Sequence, residues 1–490
     1  MLGIQGTFEE QAQNAFGVTN KTSYTLRWDE MTPKVLQVDF ITTLEDNMLY
    51  MVPGADHIPG RWSHFVHDLN VETMDGQRVT ASKNENGSWK LDAKKGDRVH
   101  VFYDFHLDHE DYQWNGGLDG VAYTRDWGNF YAGRTLFVVN GNGPEEIEVN
   151  FDITKGYTVT NPWQIVDEVE KIFIAQNQAD LVQSMFFIGK HDEFRFTDER
   201  FELIFALGGN KVIADRENYQ KMARGVLEYY TKLMGGLPKI GVDGKQSRSV
   251  VIINESDGTD GEVIGNNISI QVQYNDDPMS QMLAKFIFAH EFFHLWNGKS
   301  FLPADDRTEW FKEGFSNYYT LKALTQCGFL DEGSFLGILN SLFYQRYSSD
   351  DGLGKIAMVQ GEEKHGHWGL IYAGGLFTSL SQDMMIRNNT DNKNNLDDLM
   401  RGMYKKYAGT SKTYDLEELK SELSRLSQVD QKSFFDQYIT GYERIPVETY
   451  LSQGPFQAEV KDGSLLIQPK SDLTQLEEEI LEGFYGRIKN

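Results

Sequence analysis

The chain has 490 residues, of which 40% are apolar and 13% aromatic, and it carries a net charge of -26. A chain of this length and apolar content can bury more than one core, so we expect two to four domains and exclude global disorder. The negative charge repels phosphate backbones and therefore excludes nucleic-acid binding through a basic face.

The N-terminal residues 1–17 lack the basic start and the apolar run of a secretory leader, and no apolar run reaches the ~18–20 residues that cross a bilayer. Cys327 is the only cysteine, which excludes an intrachain disulfide and a thiolate zinc site, and we expect a buried, inert thiol. Low cysteine content suits the cytoplasm, or the periplasm or exterior if a leader has been removed, so the compartment stays open.

Residues 20 to about 155 alternate between apolar and polar positions, with Gly, Asn and Asp at the breaks. The alternation is clearest in KVLQVDF (34–40), DRVHVFYDF (97–105) and EEIEVNFDI (145–153). It is typical of strands with one buried face, and it predicts a β-rich N-terminal domain over residues 1–155, built as an antiparallel sandwich.

The pattern becomes mixed after residue 155 and mainly helical after residue 277. Residues 215–236 predict a helix that ends at Gly235 and Gly236, while 248–256 and 267–275 predict strands. We therefore expect a multidomain α+β protein. Its later segments are an α/β domain over 156–330, a helical domain over 331–455, and a tail over 456–490 made of a hairpin and a helix.

The most specific motif is HEFFHLWNG (290–298). On a helix, His290 and His294 lie one turn apart on the same side, where two imidazoles can bind one Zn²⁺. Glu291 is rotated by ~100° from His290, which brings its carboxylate within reach of a water that attacks beside the metal.

The sequence also marks the ends of this helix. Asp277 suits the N-cap, Pro278 the first turn and Gly298 the end, so we predict a helix of about 20 residues. A HExxH motif can also arise by chance, with histidines that only pack in a core. The marked ends and a third ligand at the right distance argue against chance.

A catalytic zinc takes three protein ligands and keeps one position open. The third candidate is Glu313, and eighteen residues separate it from His294. A loop leads to a second helix that Thr308 or Asp306 can cap, with Glu313 in its second turn. If the two helices pack antiparallel, Glu313 faces the two histidines.

The pattern of HEFFH, eighteen further residues and then a Glu within EGF resembles that of the gluzincin metallopeptidases. Within that clan, HEFFHLWN is similar to the glycyl aminopeptidase family. The similarity extends to IPGRWSHFVHDL (58–69), NLDDLMRGMYKKY (395–407) and FFDQYITGYERIPVETYL (434–451). The resemblance implies a β-rich domain, a thermolysin-like catalytic domain, a helical domain, and zinc-dependent release of N-terminal residues, often Gly or Ala. The family's usual C-terminal PDZ domain is expected to be absent, since about 35 residues follow the helical region.

The resemblance also implies a tyrosine, followed by a Lys-Gly pair, that donates a hydrogen bond to the oxyanion of the tetrahedral intermediate. LIYAGGLF (370–377) offers Tyr372, with Gly374 where the family has Lys. The glycine pair would let backbones pack closely at the site, and a phenol donor to an oxyanion can contribute roughly 3 kcal/mol. Alternatively, Tyr372 is one of 23 tyrosines and packs in the core.

An aminopeptidase needs a carboxylate for the substrate's α-amine, which the family places in a GGLEH segment before the zinc helix. The corresponding stretch, ESDGTDGEVIGNNIS (255–269), lacks GGLEH. Glu262 is the nearest match by spacing, beside Glu255, Asp257 and Asp260. The alternative is an acidic, Gly-rich loop that only turns the chain.

EEKHGHWG (362–369) places His365 and His367 just before Tyr372. Their spacing can bind a second metal or line the cleft; otherwise both are solvated or structurally bonded. The candidates to orient the zinc-binding imidazoles are Asn297, Asn317 and Glu309.

The sequence therefore predicts a zinc aminopeptidase with one Zn²⁺ on His290, His294 and Glu313, and with Glu291 and Tyr372 as catalytic groups. Its partners are peptide substrates, and its oligomeric state is open. Two alternatives remain: an endopeptidase on the same site without an anchor for the α-amine, and a binding protein whose zinc site is inactive.

Overall fold

The structure is a computed structural model that describes residues 21–114, 117–143, 145–197, 201–239, 247–275 and 278–488. The chain forms two compact units, Met1–Glu193 and Phe194–Asn490. Asp277, the predicted cap of the HEFFH helix, lies outside the described residues. Within the described ranges, no helix is both long and apolar enough to span a bilayer.

The described part of the first unit is mainly β-sheet. Its strands are β1 (Ser23–Trp28), β2 (Val35–Thr43), β3 (Met48–Leu49), β4 (Val66–Thr73), β5 (Arg78–Val79), β6 (Ala81–Lys83), β7 (Trp89–Leu91), β8 (Arg98–His106), β9 (Ala122–Arg125), β10 (Gly128–Ala132), β11 (Ile147–Ile153), β12 (Thr158–Thr160), β13 (Gln164–Asp167), β14 (Ile172–Ala175) and β15 (Met185–Gly189). Its two α-helices are α1 (Gly133–Leu136) and α2 (Gln178–Val182). The sheets have the orders β13-β14-β11-β1-β2-β8-β4-β5, β12-β15-β10-β9 and β3-β7-β6.

Alternating side chains of the long strands build the core of this unit. Inward residues of β2, β8 and β11 are buried, as the sequence pattern predicts. They share one core with the four-stranded sheet, where the rings of Phe151 and Phe186 lie 5.5 Å apart between centroids. The predicted β-rich N-terminal region is confirmed. One departure is that β1 pairs with β11 in parallel, although its other neighbour, β2, is antiparallel.

Two strands that follow residue 155, β13 and β14, belong to the eight-stranded sheet of the first unit. β14 pairs with β11, and β13 pairs with β14. The first compact unit accordingly runs to Glu193, beyond the boundary expected at 155. The boundaries at 330 and 455 stay predictions, since Phe194–Asn490 form one compact unit.

A buried histidine lies in the first unit. His109 stacks on Phe65 with ring centroids 3.6 Å apart, near Trp62 and Trp114. Neither of its ring nitrogens has a hydrogen-bond partner within the described structure. Burial, and then the neighbouring His64, lower the pKa of His109 to about 3. The imidazole is therefore neutral in the folded protein at ordinary pH.

The second unit combines a small sheet with many helices. The sheet strands are β16 (Asp192–Thr197), β17 (Phe201–Gly208), β18 (Ser247–Glu255), β19 (Asp260–Ile264) and β20 (Asn267–Val272), in the order β16-β17-β18-β20-β19. The later short strands are β21 (Leu302–Pro303), β22 (Thr413–Tyr414), β23 (Phe456–Lys461) and β24 (Ser464–Pro469). The helices are α3 (Asn210–Ala214), α4 (Arg216–Met234), α5 (Pro278–His294), α6 (Glu309–Gln326), α7 (Glu332–Ile338), α8 (Gln345–Ser349), α9 (Gly374–Asn389), α10 (Leu396–Tyr407), α11 (Leu416–Ser427), α12 (Lys432–Phe434), α13 (Val447–Ser452) and α14 (Gln475–Phe484).

Two local predictions in this unit are confirmed. α4 ends at Gly235, which adopts a left-handed conformation with φ of 80°. The tail contains the predicted hairpin of β23 and β24, whose turn places Asp462 at φ 50° and Gly463 at φ 77°. With a sheet-rich first unit and a largely helical second unit, the multidomain α+β fold class is confirmed.

Segments of π-helix interrupt the helical part of the second unit. They span Leu339–Tyr344, Gly369–Ala373 and Phe435–Ile439. A π-turn closes its hydrogen bond one residue later than an α-turn, so it inserts an extra residue into the helix. The second of these segments leads directly into α9 and contains Tyr372.

A buried charge network joins three helices of the second unit. Lys322 of α6 lies 3.1 Å from Asp397 of α10 and 3.8 Å from Asp383 of α9. Arg387 of α9 binds Asp383 at 3.0 Å. All four side chains are buried, so each charge depends on its neighbours rather than on water.

Candidate metal and active site

The two helices that carry the predicted ligands, α5 and α6, pack against each other. The rings of Phe293 and Tyr319 stack with centroids 5.1 Å apart, and the Asn297 amide Nδ2 donates to the Lys312 carbonyl at 3.1 Å. As the residue number rises along α5 it falls along α6, so the helices run antiparallel. This is the arrangement that the sequence spacing requires.

α5 begins at Pro278, as predicted, but its C-terminal end and the capping of α6 differ from the predictions. α5 stops at His294, and the chain turns before Gly298, which adopts φ of 121°. Thr308 occupies the N-cap position of α6, but its side chain makes no capping hydrogen bond. Instead, Asp305 caps the preceding 3₁₀ turn by accepting from the Arg307 amide at 3.1 Å.

The two imidazoles and the carboxylate converge on one point. His290 Nε2 lies 3.1 Å from His294 Nε2, and Glu313 Oε2 lies 3.4 and 3.2 Å from these nitrogens. Tetrahedral ligands at ~2.0–2.1 Å from a zinc ion lie ~3.3 Å from one another, so the spacing fits a single ion. All three side chains are buried. Together, His290, His294 and Glu313 form a group that can hold a metal, which we call the metal group.

The hydrogen bonds around the imidazoles suit metal binding. His294 Nδ1 lies 3.0 Å from the Asn297 carbonyl, to which it donates, and this leaves the Nε2 lone pair for a metal. Asn297 thus acts through its backbone. His290 Nδ1 is buried without a hydrogen-bond partner among the described residues. Asn317 does not reach an imidazole but donates to the Tyr372 carbonyl at 3.3 Å, which ties the Tyr372 segment to α6.

Two lysines hold the other oxygen of Glu313. Lys312 and Lys364 place Nζ 3.3 and 3.4 Å from Glu313 Oε1, and they bind Glu309 at 2.8 and 2.6 Å. Burial opposes ionisation of Glu313, but His294 and Lys312 outweigh it and hold the pKa of its carboxyl well below its usual range. The prediction that Glu309 orients an imidazole is wrong, because it pairs with the lysines that orient Glu313. In the sequence, the only indication that lysines orient Glu313 is that Lys312 directly precedes it.

The metal group opens into a cavity of about 200 Å³. Its wall comes from β19, α5, α6 and two connecting segments. The lining residues are Gly261, Glu262, Val263, His290, Glu291, His294, Gly298, Lys299, Lys312, Glu313, Lys364, His365 and Tyr372. A larger groove of about 1020 Å³ lies between α7 and the C-terminal hairpin and contains none of these groups.

Glu291 borders the cavity beside the candidate metal ligands. Burial raises the pKa of its carboxyl to about 7; His290 acts against this, and Glu313, Glu262 and Asp260 add to it. A carboxyl with a pKa near neutrality can both accept and return a proton. A bound cation would favour its ionised form.

Tyr372 lies in the π-helical segment and borders the same cavity. Its ring stacks on Trp368 with centroids 5.4 Å apart and is only partly buried, so it does not serve core packing alone. Burial, followed by the carboxylates of Glu313 and Glu291, raises the pKa of Tyr372 far above its usual range. The phenol therefore stays protonated and can act as a hydrogen-bond donor.

The glycine pair after Tyr372 lets two helices meet, as expected. A Cβ on Gly375 would lie 2.0 Å from the Trp310 carbonyl oxygen, and a Cβ on Gly314 would lie 2.1 Å from the Gly375 carbonyl carbon. α6 and α9 thus cross in backbone contact. This crossing sets the distance between the helix of Glu313 and the segment of Tyr372.

Glu262 lies on β19, the edge strand of the five-stranded sheet. From the sequence, the segment around Glu262 could have been an acidic loop that only turns the chain. In the structure, β19 and β20 form a β-hairpin there, in which Glu262 pairs with Ser269. Glu262 borders the cavity, whereas Glu255 binds Lys211 at 3.3 Å. An edge strand can also pair with an extended peptide.

The two histidines before Tyr372 have different surroundings. His365 lines the cavity. His367 Nδ1 lies 2.9 Å from Asp350 and 3.4 Å from Asp351. Asp350 also accepts from the backbone amide of Leu370 at 2.9 Å, which gives it a structural role. Of the alternatives, cavity lining describes His365 and structural bonding describes His367.

Comparisons with known proteins agree with this geometry. Residues 31–190 match the family model of the peptidase M61 N-terminal domain, and residues 284–360 match that of M61 glycyl aminopeptidase. An aminopeptidase N family protein from Idiomarina loihiensis is similar in structure, with a TM-score of 0.74 and 18% identity over 90% of this chain and 80% of that one. A mutant M1 zinc metallopeptidase from Deinococcus radiodurans gives a TM-score of 0.55 and 11% identity over 87% and 95%. No curated protein matches the sequence.

Proposed function

Since the chain belongs to the peptidase M61 glycyl aminopeptidase family, whose N-terminal and peptidase models it matches, we propose that it is a zinc-dependent aminopeptidase that releases small N-terminal residues, Gly or Ala. Family membership makes it a peptidase; the metal, the exopeptidase action and the residue preference are the proposal. The observation that carries it is the convergence of two imidazoles and Glu313 at one wall of a cavity that Glu291 also borders.

We assign the metal site to His290, His294 and Glu313. Two imidazoles and one carboxylate are a common ligand set of catalytic zinc, and the spacing of their ligand atoms suits one tetrahedral ion. When bound there, zinc supplies a Lewis acid that polarises the scissile carbonyl and makes an attacking water more acidic. The solved zinc metallopeptidase of similar fold supports this choice of metal.

Two side chains carry the proton transfers and the charge of the transition state. Glu291 accepts a proton from the attacking water and returns it to the leaving amine. The phenol of Tyr372 donates a hydrogen bond to the oxygen of the former carbonyl as negative charge develops on that oxygen. The side-chain amide of Asn317 donates a hydrogen bond to the backbone carbonyl of Tyr372 and so holds the Tyr372 segment in position.

The α-amine of the substrate is assigned to Glu262. It borders the same cavity from the edge strand β19, so an extended peptide paired with β19 would bring its ammonium group to this carboxylate. The cavity of about 200 Å³ is small for a binding site, which favours a short N-terminal side chain.

The Glu291→Gln variant tests the mechanism. It should bind zinc in the same ratio as the wild type, whereas hydrolysis of Ala-anilide should fall ~10²–10⁴-fold because the general base is lost. Glu362→Gln, at an exposed glutamate outside the cavity, is the matched control and should keep wild-type turnover. Turnover by Glu291→Gln at the control level would remove Glu291 from the mechanism.

N-terminal specificity needs a separate test. Ala-anilide should be cleaved and its N-acetylated analogue should not, and Glu262→Gln should raise KM for the free amine by about tenfold or more. A preference for the blocked substrate would identify an endopeptidase on the same site. Absence of bound zinc together with no turnover on any peptide would identify a binding protein.

A further inference from the structure

The cavity beside the metal group is lined by carboxylates and amines together, and its carboxylates are Glu262, Glu291 and Glu313. Lys299, Lys312, Lys364 and His365 all border it. The proposed mechanism gives none of the three lysines a contact with the substrate.

Two of the three lysines already have partners. Lys312 and Lys364 both bind Glu309 and the outer oxygen of Glu313, and their role is to position this carboxylate. Their charges are largely balanced by these two glutamates. They therefore leave little free positive charge for a ligand.

Lys299 differs from the other two. Among the described residues it donates no hydrogen bond and forms no ion pair, although it is partly buried and lines the cavity. It follows Gly298, whose φ of 121° is a conformation that favours glycine. Burial, and then the neighbouring Lys312, lower the pKa of Lys299, although the carboxylates of Glu262, Glu291 and Glu313 act in the opposite direction.

A carboxylate of the ligand is the anion that fits this position. A partly buried ammonium group without a partner is unfavourable, and a charge-assisted hydrogen bond to a carboxylate relieves it. In a peptidase the available anions are the C-terminal carboxylate of the peptide and acidic side chains. Because the cavity measures only about 200 Å³, such a group reaches Lys299 only if it lies close to the scissile bond.

We propose that Lys299 binds a substrate carboxylate on the leaving-group side, so that the site prefers dipeptides with a free C-terminus or peptides with an acidic residue after the scissile bond. This inference rests on the proposed aminopeptidase function. Lys299 would bind one end of a short substrate while Glu262 binds its α-amine at the other.

The test compares substrates that differ only in one negative charge. The first pair is Ala-Ala and Ala-Ala-amide, which isolates the C-terminal carboxylate; the second is Ala-Asp-amide and Ala-Asn-amide, which isolates the side chain. The wild type should show at least a tenfold higher kcat/KM for the charged member of at least one pair, mainly through KM. The pair that shows the preference identifies the source of the carboxylate.

Variants connect this preference to Lys299. Lys299→Met should bring the ratio close to one, whereas Lys299→Arg, which keeps a positive charge, should restore most of it. Lys355→Met removes one charge from an exposed position outside the cavity and should keep the wild-type ratio. Circular dichroism of each variant reports whether it folds. If Lys299→Met does not fold, Lys299→Arg still tests the proposal.

The results separate the two proposals. Turnover of neutral Ala-Ala-amide by the wild type depends on the peptidase function but not on the carboxylate. If the wild type cleaves both members of each pair equally, the carboxylate site is refuted while the peptidase function stands. A preference that survives in Lys299→Met, or that is lost equally in Lys355→Met, also refutes it. No turnover of any substrate refutes the proposed function itself.

Discussion

Replacing Gly314 by alanine should separate the two helices that cross beside the metal group. Its Cβ would lie 2.1 Å from the carbonyl carbon of Gly375 and 2.3 Å from its Cα. Carbon atoms in contact need ~3.5 Å, so α6 and α9 have to move apart by about 1.4 Å. The obstructing atoms belong to the backbone and cannot rotate away. We therefore expect a loss of about 3 kcal/mol in the free energy of unfolding, the upper end of the usual cost of over-packing.

The same displacement should impair catalysis. Gly314 follows Glu313 directly, and Gly375 lies three residues after Tyr372, so the movement changes the distance between the metal group and the phenol. A displacement of ~1 Å can lower the rate ~10²-fold. Gly314→Ala should thus lose about two orders of magnitude in kcat/KM for Ala-anilide, beyond any loss from partial unfolding.

The matched control is Gly402→Ala. Gly402 lies in α10, and within the described residues a Cβ there would meet no atom of another segment within 4 Å, so alanine should stabilise by about 0.5–1 kcal/mol. Urea unfolding followed by tryptophan fluorescence, with kcat/KM measured at a temperature where both variants are folded, compares the two. If Gly314→Ala has the urea midpoint and the activity of Gly402→Ala, the backbone contact between α6 and α9 does not control the site.

Three further predictions concern the metal and the buried charges. Chelation should abolish peptidase activity without unfolding the protein, because the ligands lie on helices packed in a common core, and added Zn²⁺ should restore turnover; activity that survives complete zinc removal would contradict the site. Lys322→Met should lower the free energy of unfolding by about 3–5 kcal/mol, since Asp383 and Asp397 are left with Arg387 as their buried counter-ion; an unchanged urea midpoint would contradict this. His109 has a pKa of about 3 when folded, against ~6.5 when unfolded, so below pH 6.5 the unfolded state binds a proton that the folded state does not. Lowering the pH from 7 to 5 should therefore cost about 2 kcal/mol of stability through this group, and His109→Phe should remove that part of the pH dependence; an unaltered pH profile would contradict it.

Local patterns were sufficient to bring the proposed metal ligands together. His290 and His294 lie four residues apart, and the helical repeat alone places them on one side. Glu313 needed only a second helix after a short loop, and the antiparallel pairing of α5 and α6 brings it to the histidines. Such predictions depend on geometry within one segment or between two neighbouring segments.

Other parts depend on contacts between distant segments, which periodicity does not reveal. The parallel pairing of β1 with β11 joins residues more than a hundred positions apart, and the addition of β13 and β14 to that sheet carries the first unit beyond residue 155. Lys299 and Lys364 likewise reach one cavity from two separate connecting segments. Glu262 and Tyr372 were found through family resemblance, because no spacing rule connects either residue to the HEFFH motif.

The π-helical segment before α9 makes the number of residues as important as their identity. Lys364, which holds Glu313, precedes this segment, and Tyr372, which borders the same cavity, lies within it. Deleting one residue between them would convert the π-turn into an ordinary α-turn, a change that a helix tolerates easily. The helical residues before the deletion would nevertheless rotate by ~100° about the helix axis relative to those after it. This part of the chain should therefore be sensitive to a change in length even at a position whose own side chain makes no contact.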